Sequence, residues 1–219
     1  GAVAEVVSIA DRPGEHHSFS AMAFGTDITV DSGVVTQTVD GLESTLDTTD
    51  TDFEISLPFL DPADDGEVGR FRVVELEMEV STPGAAPTDG SYVECRLAKA
   101  DSSSYFAFGL IRDAGVWKTH GTRGPTRSPV LQSVTPSGPC RTRAEASRTN
   151  SSYRAVVVST DTDLDGDHDP AVVSSTSHFG QENLTVAEEW SIKLVGHHAG
   201  GGEVEVVLRS IAWQMEAFR

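Results

Sequence analysis

Apolar and polar residues alternate with a period of two along most of the chain. Val74, Leu76, Met78 and Val80 are separated by Glu75, Glu77 and Glu79, which puts four apolar side chains on one face of an extended strand and three carboxylates on the other. The same alternation predicts strands over Phe19–Phe24, at Val93, Cys95 and Leu97, at Phe106, Phe108 and Leu110, over Tyr153–Val158, and at Trp190, Ile192 and Leu194. Turn-forming residues separate them: Pro13-Gly14, Asp31-Ser32-Gly33, Pro83-Gly84, Asp89-Gly90 and the Gly200 to Gly202 triplet. No segment carries the i, i+3, i+4, i+7 stripe of an amphipathic helix, so nothing is available to cross between parallel strands. The expected fold is all-β: an antiparallel two-sheet β-sandwich, jelly-roll-like, with residues 1–219 as a single domain.

The end of the chain refines this expectation. Val204, Val206 and Leu208 are apolar at even positions, whereas Ile211, Trp213 and Met215 are apolar at odd ones. A one-residue bulge near Arg209 and Ser210, or a strand bending from one sheet to the other, restores the inward face after such a slip.

Composition narrows the function classes. Acidic residues number 34 against 16 basic ones, a formal charge of −18, and only three of the basic residues are lysine (Lys99, Lys118, Lys193). This balance argues against binding nucleic acid, which needs a clustered basic footprint. It suits a high-GC or salt-adapted source, where charge keeps the chain dispersed. No apolar run reaches the roughly 18 residues of a membrane-spanning helix, so membrane insertion is not expected. No charged-then-apolar leader opens the chain, which fits a product that reaches the outside by cell lysis.

Charge is unevenly spread. From Ala114 to Thr160 the chain holds Lys118, Arg123, Arg127, Arg141, Arg143, Arg148 and Arg154 against Glu145 alone. Rich in Gly, Pro and Ser between Gly121 and Pro139, the region at about 114–150 is expected to form long basic loops. Its arginines either pair with the acidic remainder of the same molecule or form a docking patch, with Arg123 and Arg127 at its centre, for an acidic subunit or an anionic glycan.

Two carboxylate clusters are candidate chemistry. The first is Asp161-Thr-Asp163-Leu-Asp165-Gly166-Asp167-His-Asp169. It resembles the opening of EF-hand and related calcium loops, in which alternate aspartates around a glycine turn supply oxygens to a hard cation, and this implies a structural calcium ion. Val172 stands where that loop has its bidentate glutamate. The second is Glu75-Leu-Glu77-Met-Glu79, which resembles, with Glu77 in place of aspartate, the E-x-D-x-E strand of family 16 glycoside hydrolases. Neighbouring carboxylates on one strand face lie about 6.6 Å apart by strand rise, and a retaining pair needs roughly 5 to 5.5 Å.

Other residues carry weaker signals. The histidines (His16, His17, His120, His168, His178, His197, His198) lack zinc-site spacing and are expected to face solvent in loops. Trp190 and Trp213 fall in register with core positions; Trp117, beside the basic region, is the candidate to stack on a sugar ring. Cys95 and Cys140 are either two buried thiols or a disulfide worth roughly 3 to 4 kcal/mol through constraint of the unfolded chain. Both asparagines, Asn150 and Asn183, lie in glycosylation sequons, which points to an external surface.

Three functions follow. The first is a non-catalytic structural or binding protein of a virion or extracellular surface. The strand pattern, acidity and basic loops are similar to jelly-roll capsid decoration, turret and tail-associated proteins of tailed viruses of halophilic or high-GC hosts. That resemblance implies docking to neighbouring subunits, as a homo-oligomer, with the other side open to a host glycan. The alternative is a carbohydrate-binding, lectin-like module of a secreted protein, with calcium steadying a loop and Trp117 stacking on a sugar. The third is a family 16-like glycoside hydrolase.

Overall fold

The computed structural model describes residues 15–57, 69–99, 105–123, 129–134, 138–149, 152–166, 172–174, 185–186 and 190–217. Every named element is a strand, and all strand pairs are antiparallel. The first sheet contains β1 (Glu15–Ser18), β3 (Thr36–Gln37), β4 (Leu42–Leu46), β6 (Gly69–Ser81), β11 (Cys140–Thr149), β12 (Ser152–Asp161), β13 (Val172–Ser174), β14 (Thr185–Val186) and β16 (Val204–Ala217). Its order is β13-β12-β11-β6-β16-β4-β3, with β1 and β4 sharing one edge of β16, and β14 and β11 sharing one edge of β6. The second sheet contains β2 (Thr29–Ser32), β5 (Asp52–Ser56), β7 (Tyr92–Lys99), β8 (Tyr105–Asp113), β9 (Val116–Arg123), β10 (Pro129–Val134) and β15 (Trp190–His197), in the order β10-β9-β8-β7-β15-β5-β2.

The two sheets face each other across one hydrophobic core. Val74, Leu76, Met78 and Val80 of β6 point inward, as do Val93, Cys95 and Leu97 of β7 and Phe106, Phe108 and Leu110 of β8. This is the two-sheet sandwich that the alternation requires. The bend in β16 is also present: its register against β6 shifts between Leu208 and Ser210, so that Val204, Val206 and Leu208 on one side of the bulge and Ile211 and Trp213 on the other all reach the core. Gly41 accommodates the bulge, since its φ of 137° suits glycine and a Cβ there would sit 2.0 Å from the Leu208 carbonyl oxygen.

Two expectations fail locally. Phe19–Phe24 is not a strand: Phe19 is buried in a turn that follows β1, and the Gln37 side-chain amide holds that turn by donating to the carbonyls of Phe19 (2.6 Å) and Met22 (2.8 Å). The basic region is not mainly loop either, because β9, β10 and β11 occupy much of it. Inward positions on these strands and on β12 hold Thr119, Gly121, Thr142, Ala144 and Thr160, too small or too polar to register as an apolar alternation. The sheets approach closely there: the Thr119 and Thr160 hydroxyls bridge them at 2.6 Å, and a Cβ on Gly121 would lie 2.7 Å from the Val158 side chain.

Candidate functional site

Among the described residues, a cavity opens between the sheets where the β8–β9 turn faces the C-terminal end of β6. It holds about 430 Å³ and is lined by Glu79, Val80, Ser81 and Thr82, by Arg112, Val116 and Trp117, and by Ser133, Val134 and Gly138. Trp117 is therefore not the free stacking platform expected from sequence: it is 7% exposed and part of the core, and it lines the cleft from there. Arg112 pairs directly with Trp117 across β8 and β9 and continues the inward series Phe106, Phe108, Leu110. Residues opposite each other on neighbouring strands share a face, so Arg112 occupies an inward position at the rim of the sandwich. Its Nε is buried without an acceptor. Sequence reasoning missed Arg112, although the one visible signal was there: a cation in phase with an apolar run. A second groove, about 510 Å³, runs beside β3 and β4, but its lining is acidic (Glu43, Asp47, Asp50, Glu205) and contains no aromatic ring.

The Asp161 loop is built around a buried carboxylate. Asp161 ends β12, is fully buried, and accepts the amides of Leu164 (2.8 Å), Gly166 (3.0 Å) and Asp163 (3.3 Å). Left-handed φ values at Leu164 (61°) and Gly166 (97°) close the turn. Asp163 and Asp165 are exposed, and ligand oxygens from all three aspartates lie within 4.8 Å of one another. Asp163 accepts the Asp165 amide, which favours its ionised form; desolvation and the charges of Asp165 and Asp161 outweigh this and hold it above the ordinary aspartate range. Three hard oxygens at such spacing fit a hard cation. Val172 pairs with Val158 in β13 and supplies no ligand, while Asp167 and Asp169 lie outside the described residues.

Arginines cover the glutamates of β6. Arg141 lies 2.9 Å from Glu77 and 3.7 Å from Glu75, Arg143 lies 3.4 Å from Glu75, and Arg209 lies 2.7 Å from Glu79. Of the two readings of the basic region, internal pairing is thus realised by Arg141 and Arg143, and also by Lys118, which meets Asp113 at 2.6 Å. Arg123 ends β9, and its side chain, like all of Arg127, lies outside the described residues.

The outer face of the second sheet hides a polar set that sequence reasoning did not single out. Glu94 and His120 are both fully buried, the Glu94 carboxylate accepts from Arg96 Nε at 2.6 Å, and its other oxygen is 3.2 Å from His120 Nε2. Gly109 lies between them in register, so no side chain obstructs the contact. Arg96 also packs over the Tyr105 ring, 4.8 Å from its centroid. The expectation of solvent-facing histidines fails here, as it does at buried His198, whose Nε2 contacts the Gly202 carbonyl at 2.8 Å.

Cys95 and Cys140 do not form the disulfide considered above: both are free and buried, on strands of opposite sheets. Burial, with the nearby charges of Asp161, Glu77 and Glu79, pushes the Cys140 thiol up to about 12, and burial beside Glu94 raises Cys95 as well. Neither thiol is poised for oxidation at neutral pH.

No known family matches the sequence, and no characterised protein is similar to it in sequence. In structure the chain is similar to winged bean acidic lectin, solved with methyl-alpha-D-galactose: TM-score 0.62 at 11% identity, covering 93% of this chain and all of that one. It is also similar to lectin II from Ulex europaeus, with a TM-score of 0.58 at 13% identity over 92% of this chain and 98% of that one. The third likeness is to the Crh5 transglycosylase, with a TM-score of 0.55 at 15% identity over 92% of this chain and 83% of that one. The fold is lectin-like. At such identities the likeness extends to architecture and no further, and the virion expectation draws no support from it.

Proposed function

We propose that this protein is a carbohydrate-binding, lectin-like β-sandwich that holds a saccharide in the cleft beside Trp117 and does not transform it. One observation carries the reading: a cavity of about 430 Å³ lined together by Trp117, Arg112 and Thr82. The volume lies within the roughly 300 to 1,000 Å³ of small-molecule sites. A sugar offers such a site hydroxyls for its polar groups and C–H faces for its aromatic ring. The fold shared with galactose-complexed winged bean lectin supports the same reading. Binding without turnover is supported by the β6 glutamates, each already engaged by an arginine. An extracellular setting belongs to this proposal, and so does calcium as the cation that steadies the Asp161 loop.

Glycan-array binding of the full chain tests it. Thr82 is exposed at the cleft and in phase with inward Val80, so Thr82→Trp plugs the cavity without disturbing the core. Binding to at least one glycan class that disappears in this variant is expected; equally flat arrays for both chains overturn the reading. Turnover of a β-glucan that Glu75→Gln or Glu79→Gln abolishes would replace binding with catalysis. For the cation, a lower melting temperature in EDTA, restored by calcium, is expected from mass action on a ligand of the folded state; an unchanged melting temperature removes calcium from the account.

A further inference from the structure

Of the cations whose side chains are described, all but one sit against a carboxylate. Among the described side chains, Arg96, Lys118, Arg141, Arg143, Lys193 and Arg209 each sit against a carboxylate. Among the described residues Arg112 has no such partner, though the chain carries twice as many acids as bases. Its register puts it on the inward face, in phase with Leu110 and opposite Trp117, where part of the guanidinium is shut off from water and its buried Nε has no acceptor. A cation placed there is costly to hold without a counter-charge. Among the described residues, the one carboxylate lining the same cleft, Glu79, is taken by Arg209 at 2.7 Å. The cleft thus presents an unmatched positive charge with a planar donor fork, the geometry that suits a bidentate oxyanion.

Resting on the carbohydrate reading and deepening it, we infer that the cleft selects an acidic saccharide, with Arg112 pairing the carboxylate of a uronic acid whose ring lies against Trp117 and Thr82. Arg112 is the specificity-determining residue of this site. A neutral sugar leaves the guanidinium unpaired in the bound state, and a site built for a charged partner rejects the analogue that lacks it.

Calorimetric titration of the full chain with an oligogalacturonate, and with the same oligosaccharide reduced at its carboxyls to the neutral galactan form, tests this. The acidic ligand is expected to bind about tenfold more tightly or better, the scale of one charge-assisted hydrogen-bonded pair. Arg112→Gln is expected to erase the preference, the two ligands then binding with equal affinity, and Arg112→Lys to restore part of it. Equal affinity for the two ligands, or a preference that survives in Arg112→Gln, overturns the inference and leaves the carbohydrate reading standing. Binding of neither ligand, together with a flat array, overturns both. Acetate that competes equally well would reduce the site to an anion site without sugar selectivity and also overturns the inference.

Discussion

The outer faces of the two sheets carry the same residue types and use them in opposite ways. On the first sheet, Glu75, Glu77 and Glu79 meet Arg141, Arg143 and Arg209 in a half-exposed lattice open to water. On the second, Glu94 meets Arg96 and His120 with the carboxylate and imidazole fully buried, flanked by an apolar cluster of Tyr92, Ile111 and Val195. Identical pairings therefore differ in energetic weight. Water screens the first set and would solvate either partner if the other were removed. In the second set, a partner left behind has nowhere to place its charge or its donors.

The strongest way to break this contrast is Glu94→Ala, which strands Arg96 and His120 and is expected to cost about 3 to 5 kcal/mol of unfolding free energy. Urea denaturation checks it; a loss below about 1 kcal/mol would put Glu94 in the same class as the exposed glutamates. A sharper version removes both buried groups. Glu94→Leu combined with His120→Phe is expected to recover at least half of that loss, because a buried polar set replaced by apolar groups of similar volume is often neutral. On the opposite face, Arg141→Ala is expected to cost less than about 1 kcal/mol and to lose even that in high salt. The smallest effect is expected at the open margin of the second sheet. Partial burial there works against the charge of Asp52, but hydrogen bonds from His197 and Thr51 and the His197 charge outweigh it and hold the carboxyl below its ordinary value of 3.8. A depressed folded-state value stabilises above the unfolded one and is lost as pH falls through the folded one. Asp52→Asn should therefore lower the melting temperature slightly at neutral pH and flatten its fall below about pH 4, where the two chains converge.

Sequence legibility followed the chemistry of the inward positions. The strands β6, β7 and β8 were readable because Val, Leu, Met and Phe fill their inner faces, and the bulge of β16 was readable because large apolar residues change parity across it. The strands β9 and β11 were obscured because threonine, glycine and alanine take the inward places where the sheets approach closely. Phe19 misled in the other direction: it is a core residue supplied by a turn, and burial alone does not make a strand. At the candidate site, Trp117 was legible as a residue but not as an orientation, and Arg112 could be seen only as an interruption of an apolar run.

Alternation by itself determined that this chain forms two antiparallel layers around an apolar interior, because period two leaves one face of each strand to be hidden and antiparallel sheets are the way to hide it. Charge by itself supplied an excess of carboxylates from which arginines could draw partners. Which arginine would be left over, which glutamate would be closed off from water, and which tryptophan would border a cavity were decided only when β6, β7, β8, β9 and β10 came together. Those properties belong to distances between residues remote in sequence, and local pattern carries no record of them.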